Sequence, residues 1–416
     1  MQKGQIMTTA IETRTDWVAL AQQLGTEFAP RAAAHDADDS FVAENFDILK
    51  QHSIFAAGVP QELGGGGASH AELGAFLREL AHQCGSTALA LSMHMHLVAA
   101  TVWRWRQGHA VEPLLRRVVD EQLVLISSGG SDWLESSGTA EKVDGGFRVT
   151  ARKIFASGCP RGDLLMTTAV YDDPHDGPTV LHFPVPFADA AVTIMDTWHT
   201  LGMRGTGSHD VMINGVSVPE ETITMRRPKG QWHAFFIVNT AVAIPLVMAV
   251  YVGVAEAAYA LALERVAQKR DDPQTPYLIG DMTNALVTAQ MALEGMLAIA
   301  ANYDFELVDE TANGIFIRKT IAARAAIQTV EKAMELVGGS ALYRSVGLER
   351  LLRDVQGGLY HPYHEKRQHL FTGRLALGLD PVGNRMGYGE DRQLNSQFGQ
   401  SLPDHECHIH GRPPRN

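Results

Sequence analysis

The spacing of apolar residues changes twice along this chain of 416 residues, from helical to strand-like and back to helical. Helical spacing covers about 16–121 and 231–377, whereas short runs rich in branched residues dominate about 123–227. A chain of this length exceeds the usual size of one hydrophobic core. The α–β–α order therefore predicts an α+β protein with an N-terminal helical domain, a middle β domain and a C-terminal four-helix bundle. The expected bounds are 1–121, 122–228 and 229–379, with a polar tail over 380–416.

The first helical region contains a clear helix start. Ser69 is followed three residues later by Glu72, which is the spacing of a capping box. Four apolar residues then fall on one helical face: Leu73, Phe76, Leu77 and Leu80. The sequence therefore predicts an amphipathic helix that begins just after Ser69.

Five short apolar runs predict strands in the middle region: 123–126, 147–150, 164–171, 179–183 and 192–195. Asp144-Gly145 and Asn214-Gly215 lie between such runs and predict hairpin turns, because both pairs favour positive φ. Pro184 and Pro186 place the end of their strand at a sheet edge or in a loop. No Gly-x-Gly-x-x-Gly follows a strand, so a Rossmann dinucleotide site is not indicated.

The second helical region has the pattern of a packed bundle. Six apolar residues follow a spacing near 3.5: Ile317, Ile321, Ile327, Val330, Met334 and Val337. Gly338-Gly339 then predicts a helix C-cap. The apolar stretch 235–263 is interrupted by Asn239, Pro245 and Glu256, so we expect a helix buried in the bundle and no membrane span.

Charge and cysteine usage limit the partners. Lys plus Arg number 35 against 47 Asp plus Glu, and the net charge of −12 argues against nucleic acid or an anionic membrane. Cys84, Cys159 and Cys407 are far apart, and 1–13 contains no secretory signal, so a reducing cytoplasm is expected. The His/Cys-containing segment 405–410 lacks a second half at finger-like spacing, so no metal site is predicted.

Motifs in a fixed order give the chain a family resemblance. They are Val59-Pro60-Gln61-Glu62-Leu63-Gly64-Gly65, Gly130-Ser131-Asp132, Lys153-Ile154-Phe155-Ala156-Ser157, Leu201-Gly202-Met203-Arg204-Gly205-Thr206, and the pairs Gly338-Gly339 and Arg353-Asp354. With them the sequence resembles the acyl-CoA dehydrogenase superfamily over roughly residues 15–380. Each motif is weak alone, but their order is specific for the acyl-CoA dehydrogenase fold.

The resemblance implies a flavin cofactor, either FMN or FAD. It implies that Phe155 lies against the isoalloxazine ring, that Ser157 places its hydroxyl near N5, and that Ser127 or Ser128 binds the ring's polar edge. Further motif residues are candidates for cofactor binding: Ser131, Arg204, Gly338 and Gly339. The segment 265–270 lacks the Phe-Gly of full FAD-binding relatives, which makes FMN credible.

The dehydrogenase chemistry of the family needs a carboxylate base, and its expected positions hold none. The position eight residues beyond Asp354 is Pro362, and the alternative helix position, near 242–244, also lacks an acid. Glu365 and Glu256 are displaced from these positions. An acyl-CoA or acyl-carrier-protein dehydrogenase with a displaced base stays open as an alternative.

His361, seven residues beyond Asp354, indicates a different branch. In this respect the sequence is similar to the flavin monooxygenases of the fold, the dibenzothiophene monooxygenase type above all. The resemblance implies that Ser157 and His361 are catalytic, and that His94 or His96 on an N-terminal helix supplies another histidine. Their i, i+2 spacing places these two on different helix faces, so at most one is expected to face the pocket.

The resemblance thus implies a two-component monooxygenase that uses reduced flavin and O2 on a small, largely apolar heteroatom-containing or aromatic substrate. The resemblance also implies a separate flavin reductase and a homotetramer. A catalytically silent homologue that acts as a binding subunit is the third possibility.

Overall fold

The computed structural model describes residues 15–128, 130–269 and 271–383. The side chain of Ser131 and the segment 384–416, with its histidines and Cys407, lie outside the described residues. The described N-terminal helices are α1 (Trp17–Asp38), α2 (Ala43–Gln51), α3 (His70–Ala81), α4 (Gly85–Arg106) and α5 (Glu112–Glu121). The capping box that begins α3 is confirmed, since Ser69 N and Oγ both donate to Glu72 while Ser69 Oγ accepts from Glu72 N.

One mixed sheet follows the N-terminal helices. Its strands are β1 (Leu125–Ser127), β2 (Thr139–Val143), β3 (Gly146–Lys153), β4 (Leu164–Asp173), β5 (Gly177–Pro186), β6 (Val192–Ile194), β7 (Val211–Pro219) and β8 (Met225–Pro228). The strand order is β6-β7-β3-β2-β4-β5-β8, and β1 pairs in parallel with β4. Asp144-Gly145 forms the predicted hairpin between β2 and β3, with Gly145 at φ 74°.

Asn214-Gly215 was predicted to be a hairpin turn, and this prediction is wrong. The pair lies inside β7, where the register against β3 shifts between Val149 and Thr150. Gly215 does have a positive φ, 78°, but it serves a bulge inside the strand. Because a bulge and a tight turn both favour glycine at positive φ, the dipeptide alone does not distinguish them.

The C-terminal helices are α6 (Ala234–Val266), α7 (Gln274–Ala300), α8 (Asp309–Val337), α9 (Leu348–Val355) and α10 (Glu365–Ala376). α6 lies at the centre, packed against α3, α4, α7 and α8, so one apolar core runs through both helical regions. Among the described helices, α6 and 274–303 are long and apolar enough to cross a membrane by composition. However, 89% of the most apolar window of α6 is buried inside the protein, as expected for a core helix.

The buried face of α8 differs in part from the predicted one. Ile321 is 42% exposed, while the smaller residues Ala322, Ala323 and Ala326 are buried against the other helices. Alanines allow close helix approach, and a search for large apolar residues overlooks them. The predicted C-cap is confirmed, since α8 ends at Val337 and Gly338 adopts φ 78°.

Candidate active site between the sheet and the helical bundle

Phe155 forms an open aromatic surface at the end of β3. Its side chain is 52% exposed although it is large and apolar, and its φ is 59°. The ring of Trp198 meets it edge to face, with 5.9 Å between the ring centroids. A non-glycine residue at positive φ that exposes a phenyl ring points to a functional constraint. The ring can therefore pack against a planar apolar ligand.

Ser157 ends a chain of three buried hydroxyls. Ser208 Oγ lies 2.7 Å from Ser157 Oγ, and Thr206 Oγ1 lies 2.6 Å from Ser208 Oγ. Met203 O accepts from Trp198 Nε1 and Thr206 N, so the Thr206 hydroxyl is a third donor to one carbonyl. Because a carbonyl has two lone pairs, the Thr206 proton can turn to Ser208 instead. Thr206 then donates to Ser208 and Ser208 to Ser157, so the Ser157 hydroxyl proton can point towards a ligand.

Asp354 holds the loop that carries these hydroxyls. Its carboxylate is buried and accepts from Met203 N, and burial raises its pKa to about 6. A Cβ on Gly202 would lie 2.3 Å from the Arg353 carbonyl group, so only glycine allows this approach. Arg353 in turn binds Asp36 of α1 through two hydrogen bonds. The Arg353-Asp354 pair is therefore a structural clamp between α9, α1 and the β domain.

The turn at 130–132 brings the β domain against the segment that carries His361. Lys153 Nζ, fully buried, donates to Asp132 at 2.7 Å and fixes this turn on β3. A Cβ on Gly130 would lie 2.4 Å from Pro362 Cγ. Ser127 and Ser128 precede the turn half-buried, and their hydroxyls make no hydrogen bond within the described residues. Their role in flavin binding stays a prediction.

His361 lies between α9 and α10 and contacts the centre of α6. Its Nε2 lies 2.7 Å from the hydroxyl of Tyr251. Lys319 of α8, 1% exposed, donates to Leu359 O and Tyr363 O on either side of His361. Burial lowers the pKa of His361 to about 3, and the nearby charges of Lys319 and His96 act in the same direction. The imidazole is therefore neutral and held in place from two helices.

His96 of α4 is the second histidine of the site. Its Nδ1 donates to Ser92 O at 3.2 Å, and burial lowers its pKa to about 4. It is close enough to His361 for its charge to affect the pKa of that residue. Two of the predicted residues, His96 and His361, which are 265 positions apart in the sequence, therefore lie within electrostatic range of each other.

His94 has a structural role, which corrects its place among the catalytic candidates. Its Nε2 donates to Phe55 O at 2.8 Å, and its Nδ1 accepts from Leu125 N at 3.0 Å. Both ring nitrogens are engaged by backbone groups, so neither is free for a substrate. His94 joins α4 to the start of β1 and thereby positions the sheet.

The displaced carboxylates are already engaged. Glu256 accepts from His82 and Gln290 and pairs with Arg78. Burial alone would raise its pKa, but these partners lower it to about 2. Glu365 lies at the start of α10, where it pairs with Arg324. Both acids therefore hold helices together and are poorly placed to remove a proton from a substrate.

Three other candidates lie away from the histidines. Arg204 donates to Thr200 O at 2.8 Å and to Asp36 O at 3.3 Å, so its guanidinium joins the β domain to α1. Gly338 and Gly339 are exposed at the end of α8, and a Cβ at either position would meet nothing within 4 Å. Cofactor binding by these three residues stays a prediction.

The sequence reasoning missed Tyr251, Lys319 and Ser208. Tyr251 is concealed in the apolar run of α6, and Lys319 lies one residue from the face predicted to be apolar. Ser208 offered a weak signal, since it follows the Leu201–Thr206 motif and begins the polar stretch before β7. Nothing local in the sequence links the first two to His361.

The comparisons with known proteins agree with this architecture. Two family models match, "Acyl-CoA dehydrogenase, N-terminal domain" over residues 18–120 and "Acyl-CoA dehydrogenase, C-terminal domain" over residues 246–366. Putative acyl-CoA dehydrogenase YdbM of Bacillus subtilis is 26% identical, over 84% of this chain and 94% of its own length. Amino sugar nitrososynthase RubN8 of Streptomyces rubradiris is 26% identical, over 88% and 90%. Dibenzothiophene monooxygenase of Mycolicibacterium goodii is 24% identical, over 85% and 92%.

Among solved structures, KijD3 in complex with FMN and dTDP-3-amino-2,3,6-trideoxy-4-keto-3-methyl-D-glucose superposes with a TM-score of 0.80. The two proteins are 27% identical, and the match covers 89% of this chain and 96% of KijD3. The shared architecture therefore extends over nearly the whole length of both chains.

Proposed function

This chain belongs to the acyl-CoA dehydrogenase superfamily, and we propose that within it the chain is a reduced-flavin-dependent monooxygenase. It is a flavin-dependent oxidoreductase, as the nitrososynthase and monooxygenase relatives indicate. The finer assignment depends on the residues that face the site. The observation that carries it is the neutral His361, bonded to Tyr251 and flanked by two carbonyls that Lys319 binds, next to the position where a dehydrogenase needs a carboxylate.

The β-domain side of the site fits a flavin ring. The exposed Phe155 ring offers an apolar surface, and the Ser157 hydroxyl, which accepts from Ser208, can turn its own proton towards a ligand. A flavin needs both, because its ring system is apolar on its faces and polar along one edge. Phe155 and Ser157 would therefore hold the ring, with Ser127 or Ser128 at its polar edge. The FMN in the KijD3 complex supports FMN as the cofactor.

In its reduced form the bound flavin supplies two electrons to O2. The overall reaction is balanced when one oxygen atom enters the substrate and the other leaves as water, with two electrons and two protons from reduced flavin. The residues of this chain exclude water, orient the substrate and hold protons. His361 and His96, both neutral, are suited to donate and accept single hydrogen bonds there. We propose a small, largely apolar heteroatom-containing or aromatic substrate and a separate reductase as the source of reduced flavin.

The dehydrogenase alternative is supported by the similarity to the putative acyl-CoA dehydrogenase YdbM. It requires a base near the substrate, yet Glu256 is held by three partners and Glu365 by Arg324. Freeing Glu256 would leave Arg78 without its partner in a half-buried site, which is unfavourable. The geometry therefore favours oxygenation.

We also propose that the chain forms a cytoplasmic homotetramer. Large apolar side chains are exposed on α7 and α8, including Tyr277 at 76%, Met291 at 65% and Ile321 at 42%. Exposed apolar surface on long bundle helices is typical of a face that another subunit covers. Light scattering after size-exclusion chromatography would test this, and a monomer at micromolar concentration would contradict it.

The function is tested by mixing the protein with chemically reduced FMN and oxygenated buffer, with and without candidate substrates. A monooxygenase yields oxygenated product and releases less hydrogen peroxide when a substrate is present. A dehydrogenase instead loses its flavin absorbance when acyl-CoA thioesters are added without oxygen. Bleaching by a thioester, with no oxygenated product from any substrate, would reject the proposal.

A further inference from the structure

The hydrogen bond of His96 fixes which of its ring nitrogens carries the proton. Nδ1 lies 3.2 Å from Ser92 O, and a carbonyl oxygen can only accept. Nδ1 must therefore be protonated. In the neutral imidazole this leaves Nε2 with a lone pair, so His96 presents an acceptor.

The opposite arrangement holds at His361. The hydroxyl of Tyr251 has one hydrogen-bond partner within the described residues, Nε2 of His361 at 2.7 Å, and Tyr251 is 1% exposed. A buried hydroxyl proton needs an acceptor, so Tyr251 donates to Nε2. The proton of the neutral imidazole then lies on Nδ1, and His361 presents a donor.

The two remaining ring nitrogens are available to a ligand. Nε2 of His96 and Nδ1 of His361 have no partner among the described residues, and neither is sealed from solvent. Lys319, also buried beside His361, donates to two carbonyls, and no hydrogen bond joins it to either of these ring nitrogens among the described residues. His96 therefore keeps an accepting nitrogen and His361 a donating nitrogen, and the two residues lie within electrostatic range of each other on the helical side of the site.

From this pairing we infer that the substrate carries an N–H or O–H group, which donates to Nε2 of His96, and an acceptor that faces Nδ1–H of His361. The inference rests on the proposed function and narrows its substrate class. Amines, indoles and phenols satisfy His96, whereas thioethers and thiophenes leave its lone pair without a donor. A site that expects a polar hydrogen rejects analogues that lack it, because its own buried group is then unpaired.

Matched pairs of small probes test the inference by binding alone. We would titrate the FMN-loaded and flavin-free protein with indole and benzothiophene, and with phenol and anisole, by calorimetry. Within each pair the molecules are similar in shape, and one lacks the polar hydrogen. The loss of one hydrogen bond to a buried group is expected to weaken binding about tenfold. Indole and phenol should bind tighter than their partners by about this factor.

Variants on α4 identify the group responsible. His96→Leu removes the acceptor and should reduce the ratio within each pair to about one. Thr101→Val is the matched control, because Thr101 lies on the same helix and its hydroxyl donates to Leu97 O. This control should keep the tenfold preference. Circular dichroism and melting temperature would establish that both variants are folded.

Three outcomes would overturn the inference. They are equal binding within both pairs, a preference that survives in His96→Leu, and no binding of any probe up to about 10 mM. Oxygenation of benzothiophene but not of indole would leave the monooxygenase in place and reject the substrate class. Absence of any turnover with reduced FMN would reject the proposed function, while the binding ratios could still be measured.

Discussion

The β-domain side of the site and its helical side are assembled in different ways. On the β side, Phe155, Ser157, Thr206 and Ser208 lie in two short segments that neighbour each other in space. On the helical side, His96, Tyr251, Lys319 and His361 come from separate elements spread over most of the chain. The first side follows from local motifs, whereas the second exists only after the helices pack.

The two sides also differ in whether the direction of their hydrogen bonds can change. The bond between Thr206 and Ser208 can run in either direction, so the hydroxyls on this side can change their hydrogen bonds without any change in charge, while Ser208 donates to Ser157. The histidine side is fixed, because burial holds both imidazoles neutral and each hydrogen bond selects one tautomer. The two sides therefore differ in how far their hydrogen bonds can adapt. Substitutions on each side can separate the adaptable hydroxyls from the fixed histidine tautomers.

Lowering the pH should unfold the helical regions before the sheet. Four buried histidines of the helical regions have a pKa lowered by burial, to about 4 for His70, His94 and His96 and to about 3 for His361. A pKa below the unfolded value of about 6.5 stabilises the fold above pH 6.5, and this contribution is lost as pH falls towards 4. Each histidine then removes about 3 kcal/mol from the free energy of unfolding. Helical circular dichroism should fall with a midpoint between about pH 4 and 6.

The sheet provides a control within the same protein. His182 of β5 is the corresponding buried histidine there, and burial also lowers its pKa. The described strands contain one such group, whereas the helical regions contain three in helices and a fourth, His361, between α9 and α10, so the helical signal should be lost at a higher pH than the sheet signal. Hydrogen exchange at pH 5 would measure this by region. Uniform loss of protection in both regions would contradict the contrast.

His361→Ala should have the largest effect on turnover. Removing a group that donates or accepts in the reaction typically lowers the rate by about 100-fold or more. Product per reduced flavin should fall accordingly and hydrogen peroxide should rise. His364→Ala is the control, since His364 is exposed on the same segment. Unchanged coupling between flavin oxidation and product in His361→Ala would remove His361 from the mechanism.

The sequence could predict the elements with strong local signals. The capping box at Ser69 and the Asp144-Gly145 hairpin are local, and each was confirmed. Phe155 and Ser157 lie within one short motif, so their proximity is set by the chain itself. The family and the flavin chemistry followed from the order of such motifs. Local reasoning failed where two structures share one signal, as at Asn214-Gly215, which forms a bulge and not a turn.

The helical side could not be predicted in the same detail. His361 was found through its spacing from Asp354, but its partner Tyr251 lies 110 residues earlier in a helix that is apolar almost throughout. Only the packing of α6 against the His361 segment gives this tyrosine a role. His94 and His96 were equal candidates in the sequence, and hydrogen bonds to Phe55 and Leu125 decide between them.

Ser157→Ala should have a smaller effect, on the adaptable side. The change removes the hydroxyl expected to meet the flavin, together with the acceptor that Ser208 uses, and is expected to weaken FMN binding about fivefold to tenfold. Fluorescence titration with FMN would measure it. Thr168→Val is the matched control, since it breaks the 2.7 Å hydroxyl pair between Thr168 of β4 and Ser136 in the same domain. Equal losses in both variants would mean that the effect comes from the sheet and not from the ligand.

Tyr251→Phe should have the smallest effect and the most specific one. Without the hydroxyl, His361 keeps its ring but no longer has a fixed tautomer, so product per reduced flavin should fall about threefold. Tyr259→Phe, further along the same helix, removes a hydroxyl that bonds Thr283 and should leave coupling unchanged. A loss as large as that of His361→Ala would mean that Tyr251 itself handles the proton. No loss at all would mean that His361 selects its tautomer without Tyr251. The bonds from Lys319 to Leu359 O and Tyr363 O would then be what holds the His361 segment in place.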